Sequence, residues 1–368
     1  MTVIIFLIVL AVLIFSHELG HFLVAKFFKL RVDEFGLGFP PRLFSRVKGE
    51  TRYSLNLIPL GGFVSIFGEN NTDEVLAESE QKREMFNQPK LVQAAVLVAG
   101  IVANLLLAWL LISVALSMGV PAAASDVPYG LTISTPRLMV TSVLAHSPAE
   151  AAGLKPGDKI VSLAASRDVV LTSPDVEITQ NFIAAHTGKV LTITYTRGES
   201  QTLLKSTTTP VKGLVGDRAA IGIGLDLVGQ ASAPWPKNLI IGASLTLNVI
   251  KTSGISLLQV FWNVVFHGGS ILSEVVGPIG LAGLVGDART LGLSYLLFFV
   301  AFISVNLALF NLIPFPALDG GRLLFLLIEK IKGSRISPRV ANAANLAGFT
   351  LLILFMILVT YHDLTRIF

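Results

Sequence analysis

The 368-residue sequence contains no cysteine, which excludes disulfides, thiolate metal ligands and cysteine nucleophiles. Charged residues are scarce as well. They make up 14% of the chain, whereas a soluble globular domain carries about a quarter. Hydrophobic residues make up 52% and are gathered in long uncharged runs. These features exclude a fully soluble enzyme and predict an integral membrane protein.

A small positive excess remains, because 28 lysines and arginines outnumber 24 acids, giving a formal net charge of +4. The basic residues are scattered and form no stripe interleaved with aromatics, so nucleic acid is not an expected partner. Basic loops beside membrane spans explain the sign better. The lipid bilayer is therefore the expected partner surface.

Four segments are long enough to cross a hydrocarbon layer of about 30 Å, which takes about 20 helical residues. They cover about 2–28, 91–118, 294–313 and 346–360. The first segment lacks the basic start and small-residue cleavage site of a signal peptide, so we expect it to be retained. A fifth apolar stretch, 239–266, is ambiguous because Lys251 lies near its centre, where charge is costly in lipid.

The short loops predict the orientation, because lysine and arginine mark the cytoplasmic side. Basic residues follow the first span, from Lys26 to Arg52, and fill the predicted short connection 323–345. Both loops are therefore expected inside. Both termini and the long 119–293 segment are then expected outside.

The outer segment begins with a predicted small domain. Alternating runs within 131–211 predict short strands, and Ser147–Asp158 reads SPAEAAGLKPGD, which resembles the signature of the PDZ family. We predict an α-helical membrane protein with four transmembrane helices, a membrane-associated β-hairpin and an inserted α+β PDZ domain. The expected parts are 1–120 (two spans and the hairpin), 127–213 (PDZ), 231–290 (amphipathic, membrane-associated) and 291–368 (two spans).

The first span contains the motif His17-Glu18-Leu19-Gly20-His21. Residues i and i+4 share a helix face, so both imidazoles can reach one metal ion. Glu18 can then face a water molecule as the general base of metal-assisted hydrolysis. Ionisable residues inside a span are costly and mark a functional site by default.

A catalytic zinc usually has three protein ligands, so a third must come from elsewhere. The candidates are His146, His186, His267, His362 and Asp319. Asp319 follows the third span in the run Asn311-Leu-Ile-Pro-Phe-Pro-Ala-Leu-Asp319-Gly320-Gly321, where two prolines interrupt the helix. The simpler interpretation is that Asp319 is only the N-cap of the next helix.

The two motifs together resemble the site-2 protease family of intramembrane metalloproteases, and within it the bacterial RseP-like members, along the length of the chain. The resemblance implies one Zn²⁺ ion held by His17, His21 and Asp319, with Glu18 as catalytic base. It also implies that Asn311 holds the substrate backbone or the developing oxyanion.

Two further segments are accessory candidates. The alternating run 52–66, around Gly61 and Gly62, resembles the family's membrane re-entrant β-hairpin, whose edge could pair with an unwound substrate; the alternative is an ordinary cytoplasmic hairpin. In the second span, Gly100-Ile-Val-Ala-Asn104 partly matches a family motif that has proline where Ile101 stands. Asn104 could hydrogen-bond near the site, or these residues could simply pack helices.

The chemistry also constrains the topology. The two histidines lie toward the inner end of the first span, and one ion can join them to Asp319 only if the third span also ends inside. An extra crossing by 239–266 would place Asp319 on the opposite side. We therefore predict that 239–266 lies on or partly in the outer leaflet as an amphipathic helix.

The expected function is zinc-dependent proteolysis of single-span membrane proteins in the bacterial cytoplasmic membrane, near its cytoplasmic side. Anti-sigma factors and signal-peptide remnants are examples of such substrates. By resemblance, the PDZ domain excludes intact substrates until an upstream site-1-type protease has trimmed them. Two alternatives are a PDZ-bearing membrane scaffold or chaperone with a structural metal, and a membrane-bound zinc peptidase acting on soluble peptides.

Overall fold

The computed structural model describes residues 2–68, 78–124, 131–166, 169–172, 175–198, 202–215, 218–267, 276–290 and 292–367. The predicted start of the PDZ domain at residue 127 lies outside these ranges. The chain forms two compact units. The first comprises Met1–Ile112, Gly242–Ala288 and Leu296–Phe368, and the second comprises Ser113–Ile241 and Arg289–Tyr295.

The predicted spans are long helices. They are α1 (Thr2–Phe27), α3 (Lys90–Met118), α8 (Leu293–Leu312) and α10 (Pro338–Ile367); α2 is the short helix Glu78–Gln81. The ambiguous stretch is also one continuous helix, α6 (Lys237–His267). Within the described part of the chain, five helices are thus long and apolar enough to cross a membrane. The count of four spans remains a prediction, because length and composition do not separate α6 from the others.

Two small residues set how α1 packs against α3. A Cβ atom built on Gly20 of α1 would overlap the carbonyl group of Ala99 on α3, so the two backbones touch at this level. Such close crossings are typical of membrane helices, where van der Waals packing replaces the hydrophobic effect. Toward the C-terminal end of α1, Ala25 belongs to a buried cluster with Val96 and Leu97 of α3. Toward the N-terminal end of α1, Val9 and Leu13 pack with Val300 of α8 and Val285 of α7 (Pro278–Thr290).

The chain between α8 and α10 differs from the predicted short connection 323–345. Most of it is helical, because α9 spans Asp319–Lys332 and α10 begins at Pro338. The sequence Leu323–Ile331 is apolar enough to pack yet too short to cross a bilayer. At its C-terminal end, buried Glu329 pairs with Lys90 at the start of α3, and it accepts a hydrogen bond from the backbone N–H of Ile336 at 2.9 Å.

The predicted hairpin is a small doubled sheet. Strands β1 (Val32–Lys48) and β2 (Thr51–Ile66) are antiparallel. The first half of β1 pairs twice: Leu37 lies opposite Leu55 on one side and opposite Gly62 on the other. The last part of β2, residues 61–66, therefore has β1 as its strand neighbour on one side and no second strand among the described residues.

The outer part of this sheet exposes many apolar side chains, and exposed apolar patches of this kind mark interaction surfaces. They are Phe39, Leu43, Phe44, Val47, Tyr53, Leu55, Leu57 and Ile58. Its tip is fixed by charge. Glu50 accepts hydrogen bonds from Arg83 at 2.6 Å and from Lys26 at 2.8 Å, and these two cations hold the pKa of Glu50 at about 2.

The second unit is built on one antiparallel sheet in the order β3-β11-β4-β5-β7-β8, with β6 beside β5. Its elements are β3 (Val120–Ala123), β4 (Thr132–Val143), α4 (Pro148–Ala151), β5 (Lys159–Ala164), β6 (Val170–Thr172), α5 (Val176–Ala185), β7 (Leu191–Thr196), β8 (Leu204–Thr208) and β11 (Ile223–Ser232). Strands β9 (Val211–Val215) and β10 (Arg218–Ala220) pair separately. The strands extend past the predicted 131–211, because β11 pairs with both β3 and β4.

The SPAEAAGLKPGD segment forms a short capped helix and a turn. Ser147 is the N-cap of α4, and its side chain accepts from the N–H of Glu150 at 3.3 Å. Asp158 at the end of the segment is fully buried. Its carboxylate accepts from Arg197 through Nε at 2.7 Å and Nη2 at 2.8 Å, and from the N–H of Lys155 at 2.8 Å. This carboxylate therefore ties the turn to the end of β7.

We expect Asp158→Ala to destabilise this unit by about 1–3 kcal/mol, because it leaves the guanidinium group of Arg197 and the N–H of Lys155 without their acceptor. Limited proteolysis of the full chain should then cut between residues 131 and 232 at a lower temperature. Asp175→Ala is the matched control, because Asp175 is exposed and makes no side-chain cap bond. Equal protease resistance of the two variants would contradict the role of Asp158.

Candidate metal centre and active site

Three potential ligand atoms meet at one point of the first unit. His17 Nε2 lies 3.0 Å from Asp319 Oδ2, and His21 Nε2 lies 3.4 Å from the same oxygen. The two imidazole nitrogens are 3.2 Å apart. All three side chains are largely buried, with 10%, 11% and 17% of their side-chain surface exposed. The described residues hold no other group of His, Cys, Asp or Glu able to bind a metal.

Hydrogen bonding orients His21 for metal binding. Its Nδ1 lies 2.8 Å from the carbonyl oxygen of Val96 on α3. A carbonyl only accepts, so Nδ1 carries the proton and the neutral imidazole has its lone pair on Nε2. Hydrogen bonds of this kind fix the tautomer of metal-ligating histidines.

His17 is held on the same helix face. Its Nδ1 lies 3.4 Å from the side-chain nitrogen of Asn104, which is completely buried. The backbone oxygen of Asn104 accepts a 2.8 Å hydrogen bond from Ser304 on α8. Asn104 thus joins α1, α3 and α8 beside the metal-binding nitrogens. The predicted neighbourhood of Asn104 and the histidines is present in the structure.

Gly100 is the residue that gives the imidazoles their space. A Cβ atom at Gly100 would overlap His21 Nε2 and would lie 2.8 Å from His17 Cε1. Any side chain at this position would occupy the place where the two rings meet. The partial motif from Gly100 to Asn104 therefore places both of its named residues against the histidines.

The position of Asp319 depends on the chain reversal after α8. The helix stops before Pro314 and Pro316, and Ala317 takes a left-handed φ of 77°. Gly320 and Gly321 then seat the start of α9 directly on the backbone, because Cβ atoms there would overlap the carbonyl groups of residues 312, 313 and 315. Leu318 is the N-cap, so Asp319 is the first helical residue and not the cap that the simpler interpretation suggested.

The three groups fit a zinc ion. Ligand atoms about 2.0–2.1 Å from a tetrahedral zinc stand about 3.3 Å apart, and the observed separations are 3.0–3.4 Å. Asp319 Oδ2 is buried and has no hydrogen-bond donor among the described residues. Two imidazoles and one carboxylate form a donor set that zinc accepts while keeping a fourth position open.

An open cavity adjoins the cluster. Its lining includes Glu18, Asn311 and Arg322, and Glu18 also accepts a hydrogen bond from the backbone N–H of Val64. The residues of the sheet edge, 61–66, form one wall. Gly61 and Gly62 are therefore beside the cavity, and each lacks a side chain for a physical reason. A Cβ at Gly61 would overlap the Phe39 ring, and one at Gly62 would come within 3.3 Å of Glu18 Cγ.

The remaining histidines lie elsewhere. His146 and His186 belong to the second unit, where His186 Nδ1 donates to the carbonyl oxygen of Phe182 at 2.8 Å. His362 lies near the end of α10. For His267 only the backbone is described. Of the described candidates for the third ligand, Asp319 alone joins His17 and His21.

Sequence reasoning missed Arg322 and Gly20. Arg322 follows Asp319 by three positions, and residues three apart share a helix face. This spacing from a suspected metal ligand was the signal that could have placed Arg322 near the site. Gly20 lies inside the His17–His21 motif, and the available signal was that glycine in a membrane helix often marks a close crossing.

Comparison with known proteins adds an independent finding. The profile of peptidase family M50 matches residues 5–355. A protein of Clostridium perfringens named as a zinc metalloprotease is 32% identical over 364 residues, covering 99% of this chain and 98% of its own. Proteins with the same description from Nostoc and Mesorhizobium japonicum are 33% and 31% identical, covering 94% and 99% of this chain and 91% and 98% of their own.

The match spans nearly the whole chain and includes the helices that carry the cluster. The relatives are matched over almost their full length as well. The expected zinc chemistry is therefore supported by the geometry of the cluster and by ancestry. The chain belongs to peptidase family M50, the site-2 protease family of zinc metalloproteases.

Proposed function

We propose that this protein is an intramembrane zinc endopeptidase that cleaves single-span membrane proteins. One observation carries the proposal: His17, His21 and Asp319 share a buried site with Glu18, and the helix that carries His17, Glu18 and His21 is long and apolar enough to cross a bilayer. His17, His21 and Asp319 hold the zinc ion, and Glu18 is the general base.

When bound to this set, zinc supplies Lewis acidity that lowers the pKa of water and polarises the peptide carbonyl. Glu18 takes a proton from the attacking water and returns it to the leaving nitrogen. Asn311 lines the same cavity and offers a neutral amide donor to the substrate backbone. His17, His21 and Asp319 therefore hold the zinc ion, and Glu18 moves the proton.

Asn104 is a positioning residue for His17. Its side-chain oxygen is buried without a partner among the described residues, while its nitrogen lies against His17 Nδ1. Exchanging the amide oxygen and nitrogen, which share one shape, lets the oxygen accept a proton from Nδ1. That hydrogen bond leaves His17 Nε2 free for the metal.

The substrate must be extended before it is cut, because a helix engages its carbonyl groups in internal hydrogen bonds. The 61–66 edge beside Glu18 has no second strand partner among the described residues. An unwound substrate segment can pair with that edge through main-chain hydrogen bonds. Gly61 and Gly62 keep the approach to Glu18 free of side chains.

The proposed topology has four spans, with both termini and the second unit outside the cytoplasm, in a bacterial cytoplasmic membrane. The joining of Asp319 to His17 and His21 supports this arrangement, because the ends of α1 and α8 must then lie at one depth. The positively charged segments near Lys26 and Lys330 support a cytoplasmic position for that depth. On this arrangement α6 does not cross the membrane.

The second unit is proposed to be a PDZ domain that filters substrates trimmed by an upstream site-1-type protease. Its support is the SPAEAAGLKPGD helix and turn, together with an apolar groove lined by α5 and the start of β11. Anti-sigma factors and signal-peptide remnants fit the substrate class. Family membership favours the protease over a scaffold with a structural metal.

We expect Glu18→Gln to bind zinc but to lose about 10²–10⁴-fold of the cleavage rate, because only the base is removed. His21→Ala should lose the zinc as well. The measurement is co-expression with a panel of tagged single-span proteins, together with zinc content of the purified variants. Precursors should accumulate with both variants and not with the unchanged protein.

A soluble peptide that lacks any apolar segment serves as the comparison substrate in this assay. Turnover of that peptide, with no single-span protein cleaved, would replace the proposal by the surface-peptidase alternative. Zinc retention by His21→Ala would contradict the proposed ligand set.

We expect Gly100→Ala to lower zinc affinity by about 10–100-fold, the range for residues that orient metal ligands. The added methyl group overlaps the place where His17 and His21 meet. Gly283→Ala is the matched control, because a Cβ there meets open space and the residue also lies within a helix. Competition with a zinc chelator measures both affinities, and equal values would show that Gly100 does not shape the site.

A further inference from the structure

The cavity beside the proposed metal centre contains one permanently charged cation among its described lining residues. Arg322 lines the cavity together with Glu18, Asn311 and Asp319. It also lies within electrostatic range of Glu18. Because Arg322 follows Asp319 by three positions on α9, the two side chains lie on neighbouring parts of one helix face.

The placement of this arginine is fixed by the same contact that fixes Asp319. Gly320 and Gly321 press the first turn of α9 onto the backbone of the preceding reversal. Arg322 is half-buried, whereas Lys330 and Lys332 further along the helix are exposed. Keeping a guanidinium group partly out of water is costly, which indicates a role in the cavity and not in solubility.

A count of charges shows what the arginine adds. With neutral His17 and His21, the carboxylates of Glu18 and Asp319 contribute two negative charges, which a divalent zinc ion balances. Arg322 then gives the cavity an excess of one positive charge. Attack on a peptide carbonyl places one negative charge on its oxygen, and the product ends in one carboxylate.

We propose that Arg322 is a further catalytic residue that binds the carbonyl oxygen of the scissile peptide as it becomes negative and then holds the new carboxylate. The inference rests on the proposed function. Arginine suits this task because it is always charged and its planar group binds carboxylates through two parallel N–H donors.

The step balances in atoms and charge. Water forms the new C–O bond and passes a proton to Glu18, while the carbonyl π-electrons move to the oxygen beside Arg322. The C–N bond then breaks, and the proton moves from Glu18 to the leaving nitrogen. The second water proton leaves when the acid ionises, so the products are an amine and a carboxylate that remains paired with Arg322.

Binding to the zinc-free protein separates Arg322 from the metal. The probes are one short apolar peptide with a free C-terminal carboxylate and the same peptide with a C-terminal amide. In the zinc-free full chain in detergent, the charges of Glu18 and Asp319 disfavour the carboxylate form in every variant, so the measured quantity is the change in the ratio of the two affinities, carboxylate over amide. Arg322→Gln should lower this ratio about tenfold, as the loss of a charge-assisted hydrogen bond predicts.

Two variants complete the binding test. Arg322→Lys should lower the ratio less than Arg322→Gln does, because lysine keeps the charge but lacks the planar fork. Lys330→Gln removes an exposed cation two turns along the same helix and should leave the ratio unchanged. An unchanged ratio in Arg322→Gln would overturn the inference.

With zinc restored, Arg322→Gln should lower kcat by about 10²-fold, as the loss of an oxyanion donor does, with a smaller change in KM. If Arg322→Gln does not fold, Arg322→Lys decides: a lowered ratio of carboxylate to amide affinity supports the inference, and an unchanged ratio overturns it. Failure of the proposed function is distinguishable. It would appear as no cleavage of single-span proteins by the unaltered chain, whatever the peptide-binding ratio.

Discussion

Two imidazoles from the first helix and one carboxylate from the start of α9 meet within 3.4 Å, and this meeting constrains the packing of four helices. The two histidines require α1 to face the cavity, and Asp319 requires α8 to stop at the same depth. The space between the imidazoles requires glycine at position 100 of α3. The ligand geometry therefore explains why small residues, and not large apolar ones, occupy the crossing.

The ligands and the base of the site could be predicted from the sequence more completely than the arrangement of the helices and strands around them. HExxH defines two ligands and a base by helical spacing alone, and the proline-interrupted run around Asp319 indicates a helix end. The third ligand needed the family resemblance, because spacing along the chain does not show which of several residues approaches α1 in space. The structure brings Asp319 there and leaves the described alternatives elsewhere.

Other features were beyond sequence reasoning for identifiable reasons. The doubled pairing of β1 depends on long-range register, which alternation of apolar residues does not determine. Helix α9 was missed because its basic end was interpreted as a cytoplasmic loop. Length and composition do not determine the number of spans, since α6 satisfies both criteria. The proposed count of four rests on the ligand geometry and not on hydropathy.

The backbone contact between Gly20 and Ala99 has a mechanical consequence. Two rods that touch at one point tilt about that point, and displacement grows with distance from the pivot. The contact lies between His17 and His21 on one rod and next to Gly100 on the other. Changes in bilayer thickness that tilt α1 would then move the ends of α1 by ångströms, while the imidazoles, which lie close to the pivot, keep their distances from Gly100 and Asn104 on α3.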